Sequence, residues 1–129
     1  MKTTTQQWLD FAKTDLQSCE NNKIDDFVTN IVAFHAQQAV EKALKALLSE
    51  KEIPVPRIHN LIRLHSFSEQ FLIEPIDFAE LDALDSVYTS SRYPGDFGLI
   101  ATGKPTLAES IALFESAKKI YHIIFRSID

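Results

Sequence analysis

Seven residues carry most of the chemistry this sequence offers: Gln38, Lys42, Lys45, His59, Tyr88, Arg92 and Tyr93. Arg92 supplies a rigid guanidinium fork suited to phosphate or carboxylate. Tyr88, four positions earlier, shares its helix face, and Tyr93 adds a second ring for a base or an apolar wall. Upstream, His35, Gln38 and Lys42 follow one another at helical spacing, a polar stripe beside an otherwise apolar face. Lys42 and Arg92 either converge on one anion, or Glu41 bridges to Arg92 in a purely structural contact. A third arrangement ties Arg92 to the last carbonyls of its own helix or to Asp96. His59 follows Pro54 and Pro56 and sits at the expected start of a helix, where side chains are held toward shared clefts.

Other chemistries find no footing. No His-x-x-x-His or Glu-x-x-His pair is present, so neither a metal nor a cofactor is expected. Cys19 falls in an apolar stripe, and there is no Gly-x-Ser-x-Gly segment, so no catalytic residue is assigned. The glycines after Arg92 are not followed by a Lys-Ser/Thr pair, which excludes a P-loop.

The elements that must position these groups read as helices. The run Ala33 to Leu48 keeps a helical period, with Val32, Ala36, Ala39, Ala43 and Leu47 on one face and Val40, Leu44 and Leu48 widening it. Glu41 and Lys45 form an i,i+4 pair in the favourable order, worth about 0.2–0.5 kcal/mol. A first helix is expected from near Thr5 to Glu20, burying Trp8, Phe11, Ala12, Leu16 and Cys19, with Asn21-Asn22 ending it. The second starts at Asp25 or Asp26, is extended backwards by Phe27, Val28 and Ile31, and ends near Glu50. Pro54 and Pro56 then force an extended connection.

A shorter third helix is expected from His59-Asn60 to near Phe71. Asp77-x-x-Glu80 and Thr106-x-x-Glu109 have the form of capping boxes for a fourth and a fifth helix. Leu81, Leu84, Val87 and Tyr88 point inward from the fourth. Phe114, Ala117, Ile120 and Ile124 mark the stripe of the fifth. Between these helices, residues 92–105 hold all three glycines of the chain together with Tyr, Phe, Leu and Ile, the composition of an ordered loop laid over the bundle. The reading is one all-α domain over residues 1–129, an antiparallel bundle of about five helices.

Composition bounds the rest. A chain of 129 residues is one domain and buries roughly two-thirds of its unfolded surface. One cysteine fits a reducing cytoplasm, and no apolar run approaches the roughly 20 residues of a membrane span. A net charge of −5 disfavours indiscriminate nucleic-acid binding. From Leu64 through Ser91 there is no Lys or Arg but six acids, while Lys42, Lys45, Lys51, Arg57 and Arg63 precede them. Solvated helix faces explain this, and so does a basic groove beside an acidic shoulder.

Several residues in order resemble the HEPN family, the higher eukaryotes and prokaryotes nucleotide-binding domain. They are Trp8, Asp15-Leu16, the run Ala36 to Leu47 with its Gln-Ala-x-Glu-Lys-Ala-x-Lys-Ala core, His59 with Leu61, and Tyr88-x-x-x-Arg92-Tyr93-Pro94. The resemblance spans nearly the whole chain. It implies a compact bundle, commonly a homodimer, that handles nucleotide or RNA and partners a small nucleotidyltransferase, often as a toxin–antitoxin pair. Many such proteins are metal-independent endoribonucleases whose signature is an Arg followed after a short spacer by a His. Here Arg92 is followed at the corresponding positions by Phe97, Gly98 and Leu99, and no His comes before His122. Transphosphorylation through a ribose 2′-hydroxyl needs a positioned base or acid, for which His is the natural group. A nucleotide- or partner-binding module therefore leads, with a ribonuclease using a non-standard site and a purely structural interaction module as the alternatives.

Overall fold

Alanine decides where the helices meet. Ala33, Ala36, Ala39, Ala43 and Ala46 are all fully buried, and a methyl side chain lets neighbouring helices come close on several sides at once. The computed structural model describes residues 1–90 and 104–128. These residues form α1 (Thr3–Asn22), α2 (Thr29–Glu50), α3 (Leu61–Ser68), α4 (Phe78–Ser90) and α5 (Leu107–Ile128). Short 3-10 turns precede α2 (Asp26–Val28) and follow α3 (Glu69–Phe71). No strand occurs among the described residues, and no helix among them is long and apolar enough to cross a membrane.

The central helix is α2, against which all four others pack. Leu44, Leu47 and Leu48 are fully buried together with Leu9, Leu64, Leu84 and Phe114 from its neighbours. Each such side chain is worth about 1.5–3 kcal/mol on burial. Helix α1 runs antiparallel to α2. Thr5 donates to Glu50 at 2.9 Å at one end, and the Cys19 thiol donates to the Val32 carbonyl at 3.3 Å at the other. Glu50 also accepts the Lys2 backbone N–H at 3.0 Å, so the start of α1, which lacks a side-chain cap of its own, is served by the end of α2. These two hydrogen bonds, the Lys2 N–H first, hold the Glu50 carboxyl below its ordinary range.

The proline-containing segment after α2 turns back along it. His59 reaches the level of Glu41, and α3 then runs in the same sense as α2 until Phe71 lies under Lys51. Only by this retracing does His59 come beside the middle of α2. The turn that starts it is a Schellman motif, with the Ile53 N–H on the Leu48 carbonyl at 3.0 Å and the Glu52 N–H on the Ser49 carbonyl at 3.1 Å. Glu52, at φ 59°, occupies the left-handed position that glycine usually fills.

The capping expectations hold to different degrees. In the Thr106/Glu109 box both reciprocal bonds form, Thr106 N–H to Glu109 at 2.8 Å and Glu109 N–H to Thr106 at 3.1 Å. At α4 only half forms. Asp77 accepts the Glu80 N–H at 3.1 Å, while the Glu80 carboxylate turns to Lys119 at 2.6 Å. Phe11, expected in the core, is 59% exposed, and Phe27 and Ile31, expected to extend α2 backwards, are 82% and 40% exposed. Phe11 lies under the Lys42 ammonium, and the chain enters α2 through a 3-10 turn that rotates Phe27 off the core face.

Candidate functional site

The polar stripe of α2 is drawn together by two carboxylates that the bundle buries. Asp15 lies on the inward side of α1, one turn from Ala12 and one from Cys19, so it faces α2 from within the apolar stripe. Its two oxygens divide their work: one meets His35 Nδ1 at 2.7 Å and the other takes Lys42 Nζ at 2.7 Å. His35 and Lys42 are seven apart on α2, two turns on the same face, and so both reach a single acid between them.

Glu41 is the second carboxylate, its side chain only 4% exposed. It accepts Lys45 Nζ at 3.0 Å, and His59 Nδ1 lies 3.1 Å from each of its oxygens. Gln38 Nε2 is 3.3 Å from Glu41 and 2.7 Å from the Gln37 side-chain oxygen. The fully buried Gln37 in turn donates to the His59 carbonyl at 3.1 Å, fixing the backbone of the extended segment as well as its imidazole. Two aromatic rings of α1 complete the strip. Lys42 Nζ sits 5.8 Å from the Phe11 ring and Lys45 Nζ 5.6 Å from the Trp8 ring.

Both nodes thus repeat one arrangement: a buried carboxylate, one ammonium and one imidazole held through Nδ1. In each case the carboxylate neutralises the lysine and orients the ring. Isolated burial of any of these charges would cost several kcal/mol, and the pairing offsets it. Cys19 lies behind Asp15, and burial first, then the Asp15 charge, pushes its thiol up to about 12. That makes it an inert core thiol rather than a nucleophile.

Of the residues singled out from the sequence, Gln38, Lys42, Lys45 and His59 come together in this strip. Lys42 is committed to Asp15, an arrangement not among those expected, so its charge is not held ready for an incoming anion. Tyr88 belongs to the last turn of α4, and its side chain, like Arg92, Tyr93 and the loop containing them, lies outside the described residues. The two hubs and the buried Gln37 are not among the candidate site residues of the sequence: Glu41 enters there only as the partner of Lys45, a pairing the structure keeps, or of Arg92, and Asp15 only as part of the resemblance. A signal for Asp15 existed: it is the acid at an inward position of an otherwise apolar stripe. The contact from His59 carried no sequence signal, since it depends on the segment after α2 folding back.

Comparison with known proteins agrees with the fold. The family model of the HEPN domain matches residues 5–128. Among solved structures, TT1696 from Thermus thermophilus aligns at a TM-score of 0.78 and 24% identity, covering 98% of this chain and 99% of that one. ST0689, described as an archaeal HEPN homologue, aligns at a TM-score of 0.70 and 25% identity over 100% of both chains. No curated protein matches the sequence.

Proposed function

This chain belongs to the HEPN domain family, and on that premise we propose that it is a non-catalytic module that binds a nucleotide or RNA. It acts beside a small nucleotidyltransferase of a toxin–antitoxin type pair, as a homodimer in the cytoplasm. The observation that carries this reading is the pair of carboxylate nodes. The two buried acids fasten α1 and the segment after α2 to the bundle, and in doing so they also fix polar groups at its surface where a ligand can use them. The nodes hold the His35 and His59 rings in set orientations, and the exposed Phe11 ring beside Lys42 is a surface on which a base can stack. Because Asp15 and Glu41 neutralise Lys42 and Lys45, phosphate falls to other cations. Arg57, exposed two residues before His59, and Arg92 are candidates.

The test is isothermal titration with a panel of nucleoside triphosphates, together with capture of a co-expressed small nucleotidyltransferase. Binding of at least one nucleotide, weakened by Arg92→Ala and by His59→Ala, is the expected result. No heat with any nucleotide, and partner capture unchanged by Arg92→Ala, would overturn the reading.

One observation favours the ribonuclease alternative. An imidazole held through Nδ1 by a carboxylate is the arrangement of a general acid or base, and it occurs twice here. Under that reading the chain cleaves RNA, and His59→Ala abolishes the cleavage. RNA left intact by the wild-type protein at several pH values removes it.

A further inference from the structure

Two polar atoms on α2 have their orientation dictated by the nodes beneath them. The Asp15 carboxylate accepts, so the hydrogen in its 2.7 Å contact with His35 lies on Nδ1, and the neutral ring then carries a bare lone pair at Nε2. Gln38 spends both amide hydrogens inward, on Gln37 Oε1 at 2.7 Å and on Glu41 Oε1 at 3.3 Å. Reversing that amide would set its oxygen against two others, so Oε1 is the end left over. Among the described residues, the one buried side-chain polar atom without a hydrogen bond is the Tyr121 hydroxyl, so His35 Nε2 and Gln38 Oε1 are open to solvent. His35 and Gln38 are three apart on α2 and therefore neighbours on one face, about 5–6 Å between such positions. Phe11, one turn before Asp15 on α1, supplies the exposed ring of the same strip. Lys42 is turned to Asp15 and cancels its charge, so this stretch offers acceptors rather than a net charge.

We infer that this pair of acceptors reads the exocyclic amino group of a nucleobase, adenine or cytosine, and rejects the oxo bases hypoxanthine and uracil. The inference rests on the nucleotide reading above and adds the choice of base. An amino nitrogen carries two hydrogens, so hydrogen bonds of about 2.9 Å hold two acceptors about 5 Å apart, the scale of an i,i+3 pair. Adenine N6 and cytosine N4 are such donors, whereas hypoxanthine O6 and uracil O4 bring an oxygen against both lone pairs. Three acceptors crowded together with no hydrogen among them lose their water and gain nothing, a larger penalty than a missing contact. With the phosphates met by Arg57 or Arg92 on the proposed reading, base choice falls to these two atoms.

The experiment titrates the full chain in parallel with ATP, ITP, CTP and UTP at about pH 8, above the ordinary imidazole range. ATP is expected to bind more tightly than ITP, and CTP more tightly than UTP, each by about tenfold or more. Gln38→Met removes one acceptor. It is expected to weaken ATP and CTP several-fold, to leave ITP and UTP as they were, and so to narrow both ratios. Arg92→Ala is expected to weaken all four alike. The wild-type ratios decide the matter whether or not a variant folds. Equal affinities within both pairs, or Gln38→Met weakening all four alike, overturn the inference and leave the nucleotide reading standing. No heat with any of the four removes both.

Discussion

The two carboxylate nodes use the same groups in different settings. At Asp15 every partner is on a long helix: the acid on α1, and His35 and Lys42 on α2, with side chains 32% and 23% exposed. At Glu41 the ammonium comes from one turn along the same helix and is 7% exposed, while the imidazole arrives on the extended segment after α2 and is 51% exposed. The first node fastens two helices already held by a broad apolar contact. The second fastens to α2 a segment that otherwise has only a few partly buried side chains, Ile53, Val55 and Ile58, against the core. Equal chemistry therefore gives one node that is redundant for the fold and one that is not.

Removing the acids breaks this comparison most directly. Glu41→Ala leaves the Lys45 ammonium buried without its counter-ion, and a loss of about 3–5 kcal/mol is expected in urea unfolding. Amide exchange in residues 53–60 is expected to accelerate with it. Asp15→Ala is expected to cost less, about 1–3 kcal/mol, because Lys42 and His35 can turn toward water. Equal losses at the two sites would abolish the distinction.

A third acid sharpens it. Asp85 on α4 accepts the Leu61 N–H at 2.6 Å at the start of α3, with burial the main cause of its carboxyl lying above the ordinary 3.8 and Asp82 adding to it. The native chain then binds that proton more tightly than the unfolded one, so its contribution to stability is present at low pH and lost as pH rises through the raised value. Asp85→Asn keeps an acceptor for Leu61. Relative to wild type, the variant is expected to gain stability as pH rises from about 4 to neutrality, with the difference vanishing at lower pH. Thermal unfolding across that range measures it.

The smallest effect lies where the tethered segment begins. Glu52→Gly relieves the left-handed strain of the Schellman turn and is expected to raise stability by about 0.5–1 kcal/mol, less whatever the exposed Lys2 ion pair contributes. Chemical denaturation of the two proteins side by side measures the difference.

How much of this was legible in the sequence follows from where each determinant lies. Helix existence, the alanine face of α2 and the Thr106/Glu109 box are local, set by spacing within a few residues, and they appear as expected. Phe11 falls outside the core because periodicity assigns a face without knowing where the partner helix stops, and Phe27 lies in a 3-10 turn ahead of α2 rather than in the helix. Gln38, Lys42, Lys45 and His59 are recognisable by type, but of their partners only Glu41 for Lys45 follows from spacing. Lys42 and His35 meet Asp15 across the α1–α2 hairpin, and His59 meets Glu41 through a chain reversal set by a Schellman turn at a residue that is not glycine. Spacing alone makes Glu41 half of an exposed-style i,i+4 pair, whereas its burial makes it the hub.

Buried carboxylates hold both imidazoles through Nδ1, and long-range ¹H–¹⁵N spectra of uniformly labelled protein near neutral pH read the ring nitrogens directly. For His35 and His59 the expected result is a proton fixed on Nδ1 in both rings, lost at His59 alone in Glu41→Gln and at His35 alone in Asp15→Asn. Two rings showing averaged tautomers, indifferent to either substitution, would contradict it.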